Sequence, residues 1–194
     1  MDIHNTIVWM NPENTPKKEN FFKEIVKFTL IALAIVIPIR TYIAQPFVVK
    51  GDSMDPTFST GQYLIVDQLS YKIEDPKRGE VIILRYPVNP SVYFIKRIVG
   101  LPGETLAMNS GKLTIVNTAN PDGFVLDEPY ITEAHKTSES FQITLGETEY
   151  FVMGDNRPAS SDSRNWGPLD SEYVTGRPLF RLFPLTKISV FPGR

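Results

Sequence analysis

The 194-residue chain contains no cysteine, which excludes a disulfide, a thiol nucleophile and a thiolate metal site and leaves the redox compartment undetermined. Its only imidazoles are those of His4 and His135. A surplus of either charge is also missing: 20 Lys and Arg stand against 22 Asp and Glu, a net charge of −2. No basic face or run stands out beyond Lys17, Lys18, Lys23 and Lys27, so nothing argues for nucleic-acid binding. There is no internal repeat, and after Pro46 no helical hydrophobic period competes with short alternating runs. The remaining composition, 42% hydrophobic and 22% charged, is that of one sizeable globular domain plus an appendage.

The appendage is the amino-terminal segment. Residues 1–20 are polar and proline-bearing and read as a loosely ordered tail. From Phe28 to Ile39 no charge appears, and past Arg40 the run extends through Ala44. Spanning hydrocarbon takes about 20 residues, so residues 21–45 read as one transmembrane anchor helix, with Lys27 and Arg40 snorkelling to opposite interfaces. Cleavage as a signal peptide is disfavoured, because no small-x-small site follows and Tyr42 is bulky three residues before Gln45. The preceding lysines place the tail in the cytoplasm and everything after Pro46 outside the cell, which makes the expected protein single-pass.

Residues 46–194 read as a β-rich domain. Short strand-type runs, Phe47–Val49, Tyr63–Val66, Glu80–Arg85, Val92–Val99, Lys112–Val116, Phe141–Thr144, Glu149–Met153 and Lys187–Phe191, are separated by Gly, Pro, Asn and Asp clusters. That spacing predicts a mainly β, antiparallel domain. Residues 117–140, with Asn120-Pro121-Asp122-Gly123, read as an irregular excursion.

Two stretches carry candidate chemistry. In Lys50-Gly51-Asp52-Ser53-Met54-Asp55-Pro56-Thr57, Gly51 and Pro56 shape a turn around Ser53, which is either a nucleophile or ordinary turn chemistry. In Val92–Val99, alternation puts Lys96 on one face with Val92, Phe94 and Ile98. On an apolar face, burial disfavours the ammonium and can leave a neutral amine able to take a proton from a serine hydroxyl. The alternative is an edge-strand lysine reaching back to solvent. A Ser-His-Asp triad is disfavoured, because His4 falls across the membrane and His135 falls in the excursion. The polar stretch Met153–Arg164 lacks the alternating acidic oxygens and closing glutamate of a calcium loop. Its hydroxyls and Asp/Arg pair suit a supporting role.

Four stretches in order, Gly51–Thr57, Lys77–Ile82, Tyr93–Glu104 and Gly154–Gly167, resemble those of the type I signal peptidases, membrane-bound Ser-Lys endopeptidases that remove signal peptides from exported proteins. The resemblance implies that Ser53 is the nucleophile and Lys96 the general base, with Ser160 orienting the amine and Asp162 and Arg164 forming a structural pair. It also implies that Phe47, Val49, Phe58, Phe94 and Ile95 line shallow pockets for small side chains of an Ala-x-Ala site. No cofactor or metal is implied. The expected partners are signal-peptide-bearing preproteins and membrane lipid, not nucleic acid, and the expected enzyme is a monomer. Gly51 stands where some members carry a serine that helps bind the oxyanion, so the oxyanion hole would depend on backbone N–H groups, including that of Ser53. Lys50 stands where proline is frequent. A soluble self-cleaving Ser-Lys repressor would need a DNA-binding helix-turn-helix in place of the apolar run. A membrane-tethered binding domain would give Lys96, Ser160 and Arg164 no role.

Overall fold

The computed structural model describes residues 21–38, 40 and 44–194. They form two units, one ending at Pro38 and one running from Ile39 to Arg194. The tail 1–20, with His4, Lys17 and Lys18, lies outside the described residues, as do 41–43 of the expected anchor.

The first unit is helix α1, Phe21–Pro38, 18 residues long with none buried. Leucine, isoleucine and alanine dominate after Lys27. Among the described residues no helix is long and apolar enough to cross a membrane. The helix expected over 21–45 is corrected at its far end. At 1.5 Å per residue α1 covers about 27 Å and carries Lys23, Glu24 and Lys27 in its first two turns. Ala44 and Gln45, read as the end of the anchor, already belong to a strand.

The second unit is built from antiparallel strands: β1 Ala44–Val48, β2 Tyr63–Asp67, β3 Val81–Tyr86, β4 Asn89–Gly100, β5 Thr105–Asn109, β6 Lys112–Asn117, β7 Asn120–Val125, β8 Phe141–Thr144, β9 Glu149–Met153, β10 Leu169–Asp170, β11 Val174–Phe183 and β12 Ser189–Val190. A short helix α2, Ser163–Trp166, follows β9. The larger sheet runs β1-β2-β11-β3-β4-β9-β10 with β12 paired to β11, and the smaller runs β7-β6-β5-β8.

Strand β9 is buried on both faces, and its alternation shows how the layers are filled. Phe151 and Met153 join Val99, Leu106, Met108, Leu113 and Ile115 in a core shared with the smaller sheet. Tyr150 and Val152 join Ile82, Leu84, Ile98 and Leu169 in a separate core. A third cluster, Val49, Met54, Phe58, Leu64 and Val81, lies beneath the turn that carries Ser53.

Two sequence expectations need correction. Part of the excursion read over 117–140 is strand β7, whose Pro121 is tolerated because β7 is the edge of its sheet. The central strand β11 was not expected, because Gly176 and Pro178 interrupt its pattern. It accommodates them with register shifts between Val174 and Gly176 and between Pro178 and Phe180.

Phe151 is 1% exposed and stacks on Phe141 with ring centroids 5.2 Å apart. Phe151→Ala is expected to cost about 3–5 kcal/mol of unfolding free energy, read from urea denaturation, through the cavity left between the sheets.

Candidate active site

The turn that carries Ser53 is closed at its neck by two backbone bonds, Val49 N–H to the Gln62 carbonyl and Gly61 N–H to the Val49 carbonyl, both 2.9 Å. Inside it, Asp55 N–H bonds the Asp52 carbonyl at 3.1 Å and Phe58 N–H the Met54 carbonyl at 2.8 Å. Met54 and Phe58 sink fully into the core, while Ser53, immediately before Met54, stays half-buried. Gly51 holds φ at 86°, a conformation glycine takes without strain.

Lys96 stands in the middle of β4, paired across the ladder with Ile82. It is 3% exposed, and its Nζ donates to Ser53 Oγ at 2.8 Å and to the Ile95 carbonyl at 2.9 Å. The Phe94 ring lies 5.1 Å from Nζ. Burial pushes the ammonium down to about 8; Arg164 adds to the fall, while Asp162 and Asp155 oppose it. With that value, roughly one molecule in ten carries a neutral amine at pH 7, against a few in ten thousand for an ordinary lysine.

The third element is the loop from Gly154 to Arg164, which leaves β9 and enters α2. Asp162 caps α2: its carboxylate accepts from Arg164 N–H at 3.2 Å and from Arg164 Nε at 2.8 Å, while its Oδ2 accepts from Gly154 N–H at 3.0 Å. Burial alone would raise the Asp162 carboxyl, but the Arg164 hydrogen bonds and charge and the Gly154 N–H hold it below the usual carboxylate range. Ser160 Oγ is buried beside the Asp162 carboxylate, which it helps to hold low, and makes no bond to the lysine amine, so the bond expected from Ser160 to Lys96 is not formed here. Gly154 lies where a Cβ would overlap both Ser160 Oγ and the Ser53 carbonyl.

Residues the sequence reading left without a role lock these elements together. Arg97, 3% exposed, donates to Asp155 from Nε at 2.8 Å and from Nη2 at 2.7 Å. Asp155 Oδ2 also accepts from Thr57 Oγ1 at 2.6 Å, which ties the turn around Ser53 to the loop. Asn156 N–H bonds the Ser53 carbonyl at 3.0 Å, and its side-chain amide bonds the Asp52 carbonyl at 3.1 Å. The available signal was Arg97 itself: a charge inside an apolar strand, next to Lys96 but on the other face, needs a buried partner.

The five expected pocket residues do not form one surface. Val49 is 5% exposed and Phe58 is 0% exposed, so Phe58 reaches no surface in this conformation. Ile95 packs against that cluster, whereas Phe94 packs on the opposite face with Ile82, Leu84 and Ile98 and stacks on Tyr86. Phe47 on β1 meets the edge of Tyr93 on β4, ring centroids 5.2 Å apart.

A serine hydroxyl held by a buried lysine amine on an antiparallel β scaffold is the arrangement of a hydrolase that works through an acyl intermediate. The sequence profile described as Signal peptidase, peptidase S26 matches residues 22–183. The Signal peptidase I of Bacillus licheniformis is 35% identical over 189 residues, covering 92% of this chain and 98% of that protein. The Probable signal peptidase I-1 of Synechocystis sp. is 34% identical over 179 residues, covering 89% of this chain and 88% of that protein. The crystal structure of a signal peptidase I from Enterococcus faecalis aligns with a TM-score of 0.46 at 31% identity, covering 54% of this chain and 97% of that one. The chain belongs to the signal peptidase family, peptidase S26.

Two outcomes test the site's energetics. Because the Lys96 pKa is lower folded than unfolded, the unfolded chain binds more protons between about pH 8 and 10.4, and stability rises with pH across that window. The penalty of burying Lys96 is complete below that window, so Lys96→Met is expected to gain about 2–3 kcal/mol in urea denaturation at pH 7 and to lose the gain by about pH 11. Gly154→Ala is expected to fold but to lose about a hundredfold or more in kcat, since a small displacement of reacting groups costs that much.

Proposed function

We propose that the chain is a signal peptidase, a serine endopeptidase that removes signal peptides from preproteins with Ser53 as nucleophile and Lys96 as general base. The observation that carries this reading is the 2.8 Å contact between Ser53 Oγ and an amine only 3% exposed.

Neutral Lys96 takes the Ser53 hydroxyl proton as Oγ attacks the carbonyl carbon of the scissile peptide bond. Backbone N–H groups, including that of Ser53, stabilise the oxyanion. As the C–N bond breaks, the ammonium returns the proton to the departing amine, leaving an ester on Ser53. Lys96 then takes a proton from water as it attacks the ester, and returns it to Ser53 Oγ when the acid leaves. Ser160, buried beside Gly154, is the residue we assign to orienting the amine. Arg164 holds the Asp162 carboxylate, which would otherwise favour the ammonium. The expected preference for small side chains one and three residues before the cut would be set near the partly exposed Phe47, Phe94 and Ile95, with Val49 buried close by. Phe58, wholly buried, would support them from behind.

We also place the enzyme at the cell membrane, with its amino end cytoplasmic and the β-domain outside. Supporting this, α1 leaves Leu30, Ile31, Leu33, Ile35, Val36 and Ile37 exposed, surface that lipid would cover. Protease added to the outside of intact cells is expected to remove the β-domain and spare the amino end; the reverse result overturns the topology.

Ser53→Ala is expected to abolish cleavage of a preprotein bearing Ala-x-Ala, measured by product mass, with the wild type unaffected by chelators. Lys96→Arg is expected to be inactive despite its size and charge, because guanidinium does not give up its proton. The wild-type kcat/KM is expected to rise with pH through an apparent pKa of about 8. A Lys96→Arg enzyme with an unchanged profile would put the base elsewhere.

A further inference from the structure

The segment after β7, residues 126–140, has one short helical turn, Glu133–His135, and no strand. It nevertheless grips the site from several sides. Glu128 pairs with Arg157 where both side chains are nearly buried, and Arg157 Nε donates to the Gly154 carbonyl at 3.1 Å. Tyr130 donates its hydroxyl to Glu128 at 3.0 Å, and its ring lies 3.9 Å from the Arg97 guanidinium. Glu139 accepts from Arg164 Nη1 at 2.7 Å, a weaker tie because Glu139 is more than half exposed. Between these fixed points, His135 Nε2 stands 3.4 Å from Asp55 Oδ2, two residues after Ser53. Its Nδ1 is 2.6 Å from Thr132 Oγ1. If the Thr132 hydroxyl donates to Nδ1, the neutral ring carries its proton on Nε2; if the ring is charged, both nitrogens carry one. Nε2 thus faces the Asp55 carboxylate at ion-pair distance. Ser53 Oγ is held by Lys96, so His135 is not placed as its base.

We propose that His135 is a positioning residue, holding the nucleophile turn through Asp55 from a strap that Glu128 and Tyr130 fasten to Arg157 and Arg97. The proposal rests on the reading of Ser53 and Lys96 as the reacting pair. A tie at Asp55 acts on the placement of Ser53 and not on substrate affinity, so its loss should appear in kcat alone. Glutamine carries an amide nitrogen where imidazole carries Nε2, and so keeps the donor without the ring.

The full chain in detergent micelles, assayed on a peptide containing an Ala-x-Ala site, decides the matter. His135→Ala is expected to lower kcat about tenfold with KM within about twofold, and His135→Gln to recover most of the loss. Asp55→Ala should match His135→Ala, and the double variant should be no worse than either, since both remove one tie. Wild-type kcat in His135→Ala, equal losses in the Ala and Gln variants, or losses that multiply in the double variant would each overturn the proposal. Should His135→Ala melt far below the wild type, His135→Leu, which keeps bulk without a donor, takes its place in the same comparison. Ser53→Ala runs alongside: activity there sinks the nucleophile assignment, whereas an inert Ser53→Ala beside a fully active His135→Ala sinks only the strap.

Discussion

The burial of one amine governs this structure. Lys96 is withdrawn from water in the middle of a sheet, where burial disfavours its positive charge and lowers its pKa well below that of an exposed lysine. The desolvation is supplied by ordinary core packing: Ile82 across the ladder, the Phe94 ring beside it, and Ile98 further along the same face. The two bonds that Nζ makes, to Ser53 Oγ and to the Ile95 carbonyl, use two of its three donors and aim it at the hydroxyl. The amine lies on a strand and the hydroxyl on a turn 43 residues earlier, so their meeting depends on how firmly the turn is held against the sheet.

That grip comes from both sides of the turn. Met54 and Phe58 anchor it downward into the cluster with Leu64 and Val81. Above, Asn156 and Asp155 take hold of Ser53, Asp52 and Thr57. Arg181 on β11 adds a bond to the Thr57 carbonyl at 2.9 Å and lies over the Phe58 ring at 4.7 Å. The turn is short and polar, and alone it would have many conformations. Five contacts from distant parts of the chain leave it one.

Much of the site could be read from the chain because its signals are local. A glycine-and-proline-shaped turn around Ser53 and an alternating strand around Lys96 follow from periods of a few residues, and the fold realised both. The strands over Tyr63–Asp67, Val81–Tyr86 and Glu149–Met153 were legible for the same reason. What escaped had a nonlocal cause. Strand β11 carries Gly176 and Pro178, and only its neighbours β2 and β3 make it a strand. Strand β7 reads as a turn because its edge position, which excuses Pro121, is a property of the sheet. His135 reads as remote because nothing in residues 117–140 announces Arg157 or Arg97 as partners. Phe58 reads as pocket lining although the fold closes the core over it completely.

Buried charges also surround the amine. Asp162 and Asp155 both raise the Lys96 pKa, and an unpaired carboxylate at either place would restore the ammonium that burial removes. Each is instead matched by a guanidinium with fixed geometry: Asp162 by Arg164 at 2.8 Å, Asp155 by Arg97 at 2.7 Å. Arginine suits the task where lysine would not, because it keeps its charge at any pH and donates two bonds along one carboxylate edge. Buried pairs of this kind contribute little net stability, since desolvation cancels most of their attraction. At Lys96 the Arg164 charge offsets part of what the two carboxylates add. Desolvation remains the largest influence on Lys96, and it brings the amine down to about 8, so that an appreciable fraction is neutral near pH 7.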